Sequence, residues 1–213
     1  MLSILTALLG VVIGILSLLL SRKLIINRVG CDFKSLLITS KYAFLIWSTV
    51  YCVAFILIRL HFKQDIFLSI EVMLIFSTLA SISAVDLLIR KIPNSMLLAL
   101  IVLQSSFMIY DGNWSVFIAS LSALAIGFIA FLVPSIFGLS IGGGDIKLAA
   151  VIAYCVGIQG FIIALICMVI TLLVYISYLY ATKQGNLNTM SALGPFLALG
   201  CLIAYIYSPA ITF

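Results

Sequence analysis

Apolar residues run through this chain in long blocks separated by short polar breaks, at about 2–20, 42–60, 66–89, 95–110, 115–137, 145–156, 159–181 and 191–208. A helix that crosses a bilayer needs roughly 20 such residues. The pattern therefore predicts an all-α fold, a polytopic transmembrane helix bundle of about eight spans, with seven as the alternative. The block at 145–156 is short for a full crossing. Tilt, the glycine-rich segment before it or burial within protein would complete it.

Composition strengthens this picture. The 213 residues are 65% hydrophobic and 8% charged, with a mean hydropathy of +1.39. No soluble domain could cover such a composition with polar surface. Chemistry must then reside in the bundle and its short loops. Met1 to Leu20 has no basic residue before its apolar run, and Arg22 and Lys23 follow it. That is the wrong polarity for a cleaved signal peptide, so a retained first span is expected.

Loop charges orient the spans. With residues 21–41 as a short basic cytoplasmic loop, Arg22, Lys23, Arg28, Lys34, Lys41, Arg90, Lys91, Lys147 and Lys183 all fall in the cytoplasm, and only Arg59 and Lys63 fall outside. This follows the positive-inside rule and makes the N-terminus external. The net charge of +5 is scattered. Its expected partner is membrane lipid with anionic headgroups, and no nucleic acid.

Two aspartates stand out, Asp86 at the end of the third block and Asp145 at the start of the sixth. Ionisable groups at the edge of an apolar span are costly and point to function. The orientation puts both at one cytoplasmic face. Asp145 follows Gly142, Gly143 and Gly144 and opens a helix, where free N–H groups and the helix dipole favour a carboxylate. Its structural alternative is an N-cap after a glycine hinge. Asp86 sits near a helix C-terminus ahead of Arg90 and Lys91, with Pro93 restarting the chain as a helix. Its structural alternative is a pair with Arg90 one turn on. Together they suggest an aspartyl dyad in which Asp145 tends to the carboxylate and Asp86 holds the shared proton. Glu71, about one turn into the third span, is expected to pair with a neighbouring helix or reach outward.

Other chemistries lack their residues. Cys31, Cys52, Cys155, Cys167 and Cys201 form no CxxC, and His61 is the single histidine, so no metal is expected. His-Glu-x-x-His, P-loop and Gly-x-Gly-x-x-Gly patterns are absent.

Asp86 followed by Ile92-Pro93-Asn94, then Gly142-Gly143-Gly144-Asp145-Ile146-Lys147-Leu148, resembles the type IV prepilin peptidases, GxGD-type membrane aspartic proteases. Leu193-Gly194-Pro195-Phe196-Leu197-Ala198 is similar to a late segment of that family, with Leu193 in place of the usual Phe, and Gly10 to Gly14 is similar to its first span. The resemblance implies a single integral-membrane peptidase domain over 1–213, located in the inner membrane. It would cut basic leaders from prepilins or pilin-like secretion subunits at the cytoplasmic face, without a cofactor. Asp86 and Asp145 would be the catalytic pair. Gly142, Gly143, Gly144, Lys147 and Pro93 would shape the site, with Gly194 and Pro195 supporting it. Many members carry a cytoplasmic insertion with two CxxC pairs and also N-methylate the product with S-adenosylmethionine. Here that position holds the stretch from Ser21 to Lys41 with a lone Cys31, which matches a short, peptidase-only form. The competing reading is a small proton-coupled transporter, whose sites lie near the bilayer midplane between repeats; no repeat is visible here.

Overall fold

The computed structural model describes residues 2–29, 35, 38–138, 141–182 and 192–207. Cys31, Lys34 and Lys183, used in the sequence reading, lie outside the described residues. Among the described residues all regular structure is helical: α1 (Leu2–Val29), α2 (Ala43–His61), α3 (Ile66–Ile89), α4 (Asn94–Tyr110), α5 (Trp114–Ile136), α6 (Gly143–Ala181) and α7 (Gly194–Tyr207). Five are long and apolar enough to cross a membrane, while α4 and α7 are shorter apolar helices. The described residues thus hold seven helices, near the alternative of seven expected from the sequence.

Two differences from the sequence pattern have clear causes. The blocks at 145–156 and 159–181 form one helix, α6, interrupted at Gly157, where φ is 68° and ψ is 179°. That backbone region is essentially restricted to glycine. An unbroken helix of this length would run about 58 Å at 1.5 Å per residue, nearly twice the hydrocarbon thickness of about 30 Å; the break divides it. The second difference is α1, which continues through the expected start of the loop at 21 to Val29. Ile25 is buried in the same hydrophobic core as Leu18, Ile38, Trp47 and Val85. Apolar burial thus extends the helix past Arg22 and Lys23, and Arg28 in the last turn meets the negative end of the helix dipole.

The chain divides into two compact units, Met1–Phe107 and Met108–Phe213. In the first, α1 seats on α2 through glycines. A Cβ at Gly10 would lie 2.8 Å from the Tyr51 carbonyl oxygen, and one at Gly14 would lie 3.0 Å from the Trp47 carbonyl oxygen. Without side chains at these two positions the helix backbones approach closely, the usual way for membrane helices to gain packing energy when no hydrophobic force drives them together. Ala43, Trp47, Tyr51 and Phe55 form the buried stripe of α2 at four-residue spacing. Tyr51 stacks on Trp47 with ring centroids 5.7 Å apart and meets the edge of Phe76 on α3 at 5.2 Å.

In the second unit, α5 turns Val116, Ser120, Ala123, Gly127 and Phe131 inward. A Cβ at Gly127 would come within 2.6 Å of the Ala153 Cβ on α6. Farther along α6, Gly200 of α7 lies so close to the Ala164 carbonyl that a Cβ there would collide with it. Small residues therefore set the spacing in both units.

Candidate active site

Asp86 belongs to the first unit and Asp145 to the second, and each is positioned by its own helix end.

Asp86 lies in the last turn of α3 and is 4% exposed. The helix stops at Ile89 because Arg90 adopts the left-handed conformation, with φ 51° and ψ 38°. Arg90 is the non-glycine residue with positive φ among the described residues. Its backbone N–H donates to the Asp86 carbonyl at 2.8 Å, which satisfies one of the free carbonyls at the helix end. Pro93 was expected at the first position of the next helix. It sits just before that position, and its carbonyl accepts the N–H groups of Met96 at 3.1 Å and Leu97 at 3.4 Å. Ile92 and Pro93 are buried, while Lys91 and Asn94 are exposed. The tight exit therefore leaves a buried carboxyl one turn before a connection of two basic residues followed by the buried Ile92 and Pro93.

Four residues share one face of α3 at four- and seven-residue spacing: Glu71, Ile75, Ile82 and Asp86. All are buried, at 9%, 0%, 0% and 4% exposure. Glu71 accepts a hydrogen bond of 2.9 Å from the Gln104 side-chain amide on α4. The sequence reading expected Glu71 to find a neighbouring helix or to reach outward, and the neighbouring helix is what it finds. Gln104 was not singled out, although an amide within an apolar block was visible.

Asp145 is the third residue of α6 and is half-buried. Gly142 is the N-cap, and its carbonyl accepts the N–H groups of Asp145 at 2.9 Å and Ile146 at 3.2 Å. Asp145 is thus not the N-cap of the structural alternative; it sits one turn into the helix, where a carboxylate folds back toward the cap. Its Oδ2 lies 2.9 Å from where a Gly142 Cβ would be. Gly142 has φ −63° and ψ 135°, a conformation open to any residue. Its glycine is therefore explained by the room it leaves for the carboxylate and not by backbone freedom. At Gly143 a Cβ would meet nothing within 4 Å. Gly144 is in the same first turn and half-buried, and Lys147 is exposed. Gly194, buried, opens α7 with Pro195 half-buried beside it, in the first turn where proline is tolerated.

Each end thus offers one carboxyl whose setting is built by local backbone: a buried acid at a left-handed helix exit and a folded-back acid at a glycine-capped helix start. Acids in two such settings can differ in protonation, which general acid–base chemistry requires.

Comparison with known proteins gives one family. The model of the type IV leader peptidase family matches residues 73–179, just over half of the chain, and this segment holds both Asp86 and Asp145. No curated protein and no solved structure gives a match.

Proposed function

This chain belongs to the type IV leader peptidase family, and from that premise we propose that it is an aspartic endopeptidase in which Asp86 and Asp145 act as a pair. Its substrates are prepilins or pilin-like secretion subunits, from which it removes the basic leader at the cytoplasmic face of the inner membrane. The observation that carries this reading is that the matched segment contains two costly acids, each at a shaped helix end.

Asp145, near the positive end of α6, acts as the carboxylate that takes a proton from water. Asp86, buried at the end of α3, holds the proton that passes to the carbonyl oxygen or the leaving amine. The pair titrates as a unit. Loop charge supports the cytoplasmic face. Counting α6 as a single crossing moves Lys183 outside, yet eight of the 11 Lys and Arg residues remain on the side of the two aspartates. Proteolysis proceeds without methyl transfer, because the stretch from Ser21 to Lys41 has no CxxC pair.

Co-expression with prepilin precursors tests this. Wild type should shift the precursor to the mature form on a gel, and both Asp86→Asn and Asp145→Asn should abolish the shift. Cleavage persisting in either variant refutes the pair. Mass spectrometry of the mature N-terminus should find a free, unmethylated amine.

A further inference from the structure

The helix that carries Asp86 has aliphatic residues on both its outer and its inner side, with Ser69, Glu71, Ser77, Ser81 and Asp86 buried among them. Ile66, Phe67 and Ile70 on the outside are as hydrophobic as Ile75, Leu79 and Ile82 within. In a bilayer the aliphatic residues of such a helix do not select one rotation about its axis, because lipid and protein interior are equally apolar. A slip of one residue turns it by 100°, enough to carry Asp86 away from whatever it faces. The rotation must come from directional polar contacts.

Within the first unit several such contacts grip α3. The Arg59 guanidinium donates to Ser69 Oγ at 3.1 Å, near the start of the helix. The Tyr51 hydroxyl donates to the Ser77 carbonyl at 3.1 Å from the α2 side. Gln104 donates to Glu71 at 2.9 Å from α4. The third differs from the others because it grips the face that Asp86 shares. Glu71 and Gln104 are both buried, at 9% and 4% exposure, so breaking their bond strands polar groups in an apolar surrounding. A carboxylate–amide contact is also directional, unlike the aliphatic packing of Ile75 and Ile82 between Glu71 and Asp86.

We propose that the Glu71–Gln104 hydrogen bond is a rotational key for α3 and that Glu71 and Gln104 are positioning residues for Asp86. Neither touches the scissile bond; Asp86 lies about four turns away on the same helix. The key holds Asp86 on the buried face and out of lipid. Its consequence for catalysis rests on the peptidase reading above, whereas its effect on the exposure of Asp86 does not.

The test uses purified full-length protein in lipid vesicles and compares Glu71→Ala, Gln104→Leu, Glu71→Gln and the exchange Glu71→Gln with Gln104→Glu. One readout is the reaction of Asp86 with the lipid-soluble dicyclohexylcarbodiimide, quantified by peptide mass spectrometry. It should rise in Glu71→Ala and Gln104→Leu and return to the parent level in Glu71→Gln and in the exchange, both of which keep a hydrogen bond. The other is prepilin cleavage, where the first two variants should lose about a hundredfold in kcat, the cost of a small misplacement, with little change in KM. The exchange should restore most of that loss. Unchanged carbodiimide labelling in both Glu71→Ala and Gln104→Leu overturns the proposal, as does a failure of the exchange to restore the parent labelling. If Asp86→Asn cleaves like wild type, the peptidase reading falls while the labelling still decides the key.

Discussion

The Tyr205 hydroxyl on α7 donates to the Cys155 carbonyl on α6 at 3.0 Å, two residues before the helix breaks at Gly157. A break in a membrane helix frees carbonyls that lipid cannot satisfy. A tyrosine from the neighbouring helix supplies a donor for one of them. Tyr205→Phe should therefore destabilise the protein by about 1 kcal/mol. Thermal unfolding in detergent measures this, and an unchanged midpoint would mean that water replaces the phenol.

Gly157 itself allows a sharper expectation. Its φ of 68° with ψ of 179° lies in a region that side chains exclude. Gly157→Ala should cost about 1–3 kcal/mol, visible as a lowered unfolding midpoint. The neighbouring Ile158→Ala, at an exposed position, serves as the comparison and should change it far less.

Two of the three glycines before Asp145, Gly142 and Gly143, should separate cleanly. At Gly142 a methyl group would press on Asp145 Oδ2, so Gly142→Ala should displace the carboxylate and reduce prepilin cleavage about a hundredfold. At Gly143 a methyl group meets nothing within 4 Å. Gly143→Ala should cleave at close to the parent rate. Equal losses in the two variants would show that backbone freedom, and not space, is what this turn requires.

Gly10→Ala and Gly14→Ala should each weaken the contact of α1 with α2, because the added methyl groups meet backbone 2.8 Å and 3.0 Å away. Overpacking of this kind costs typically about 1–3 kcal/mol. Resistance to unfolding in a denaturing detergent would report it, with the larger loss at Gly10.

Much of the fold could be read from the chain because apolar block length is a direct consequence of bilayer thickness. The blocks at 42–60 and 66–89 correspond to α2 and α3 almost residue for residue. The interruption of α6 was visible as a gap between two blocks, but whether that gap was a loop or one glycine turned on backbone geometry that hydropathy does not encode. The extension of α1 to Val29 was missed for a related reason: Arg22 and Lys23 mark where lipid ends, not where a helix ends. At the candidate site, Asp86 and Asp145 stand out in the sequence because charge is rare here. Gln104 and Tyr205 were visible only as an amide and a phenol within apolar blocks, and each becomes informative once its partner on another helix is known. The reason for Gly142 was also hidden; glycine in a sequence suggests a turn, while the structure shows a seat for a carboxylate.

The glycine seat between α1 and α2 also bears on the order in which the protein is made. Helices leave the ribosome in sequence, and α1 meets α2 before α3 exists. Gly10 and Gly14 fit α1 to the backbone at Tyr51 and Trp47, which gives this first hairpin a mate of its own during insertion. The helix bearing Asp86 then arrives at aromatic rings already in place, Tyr51 and Phe55, and closes on them through Phe76. On this account a defect at Gly10 would surface first as a failure of biogenesis, with precursor degraded in the membrane before any question of catalysis arises.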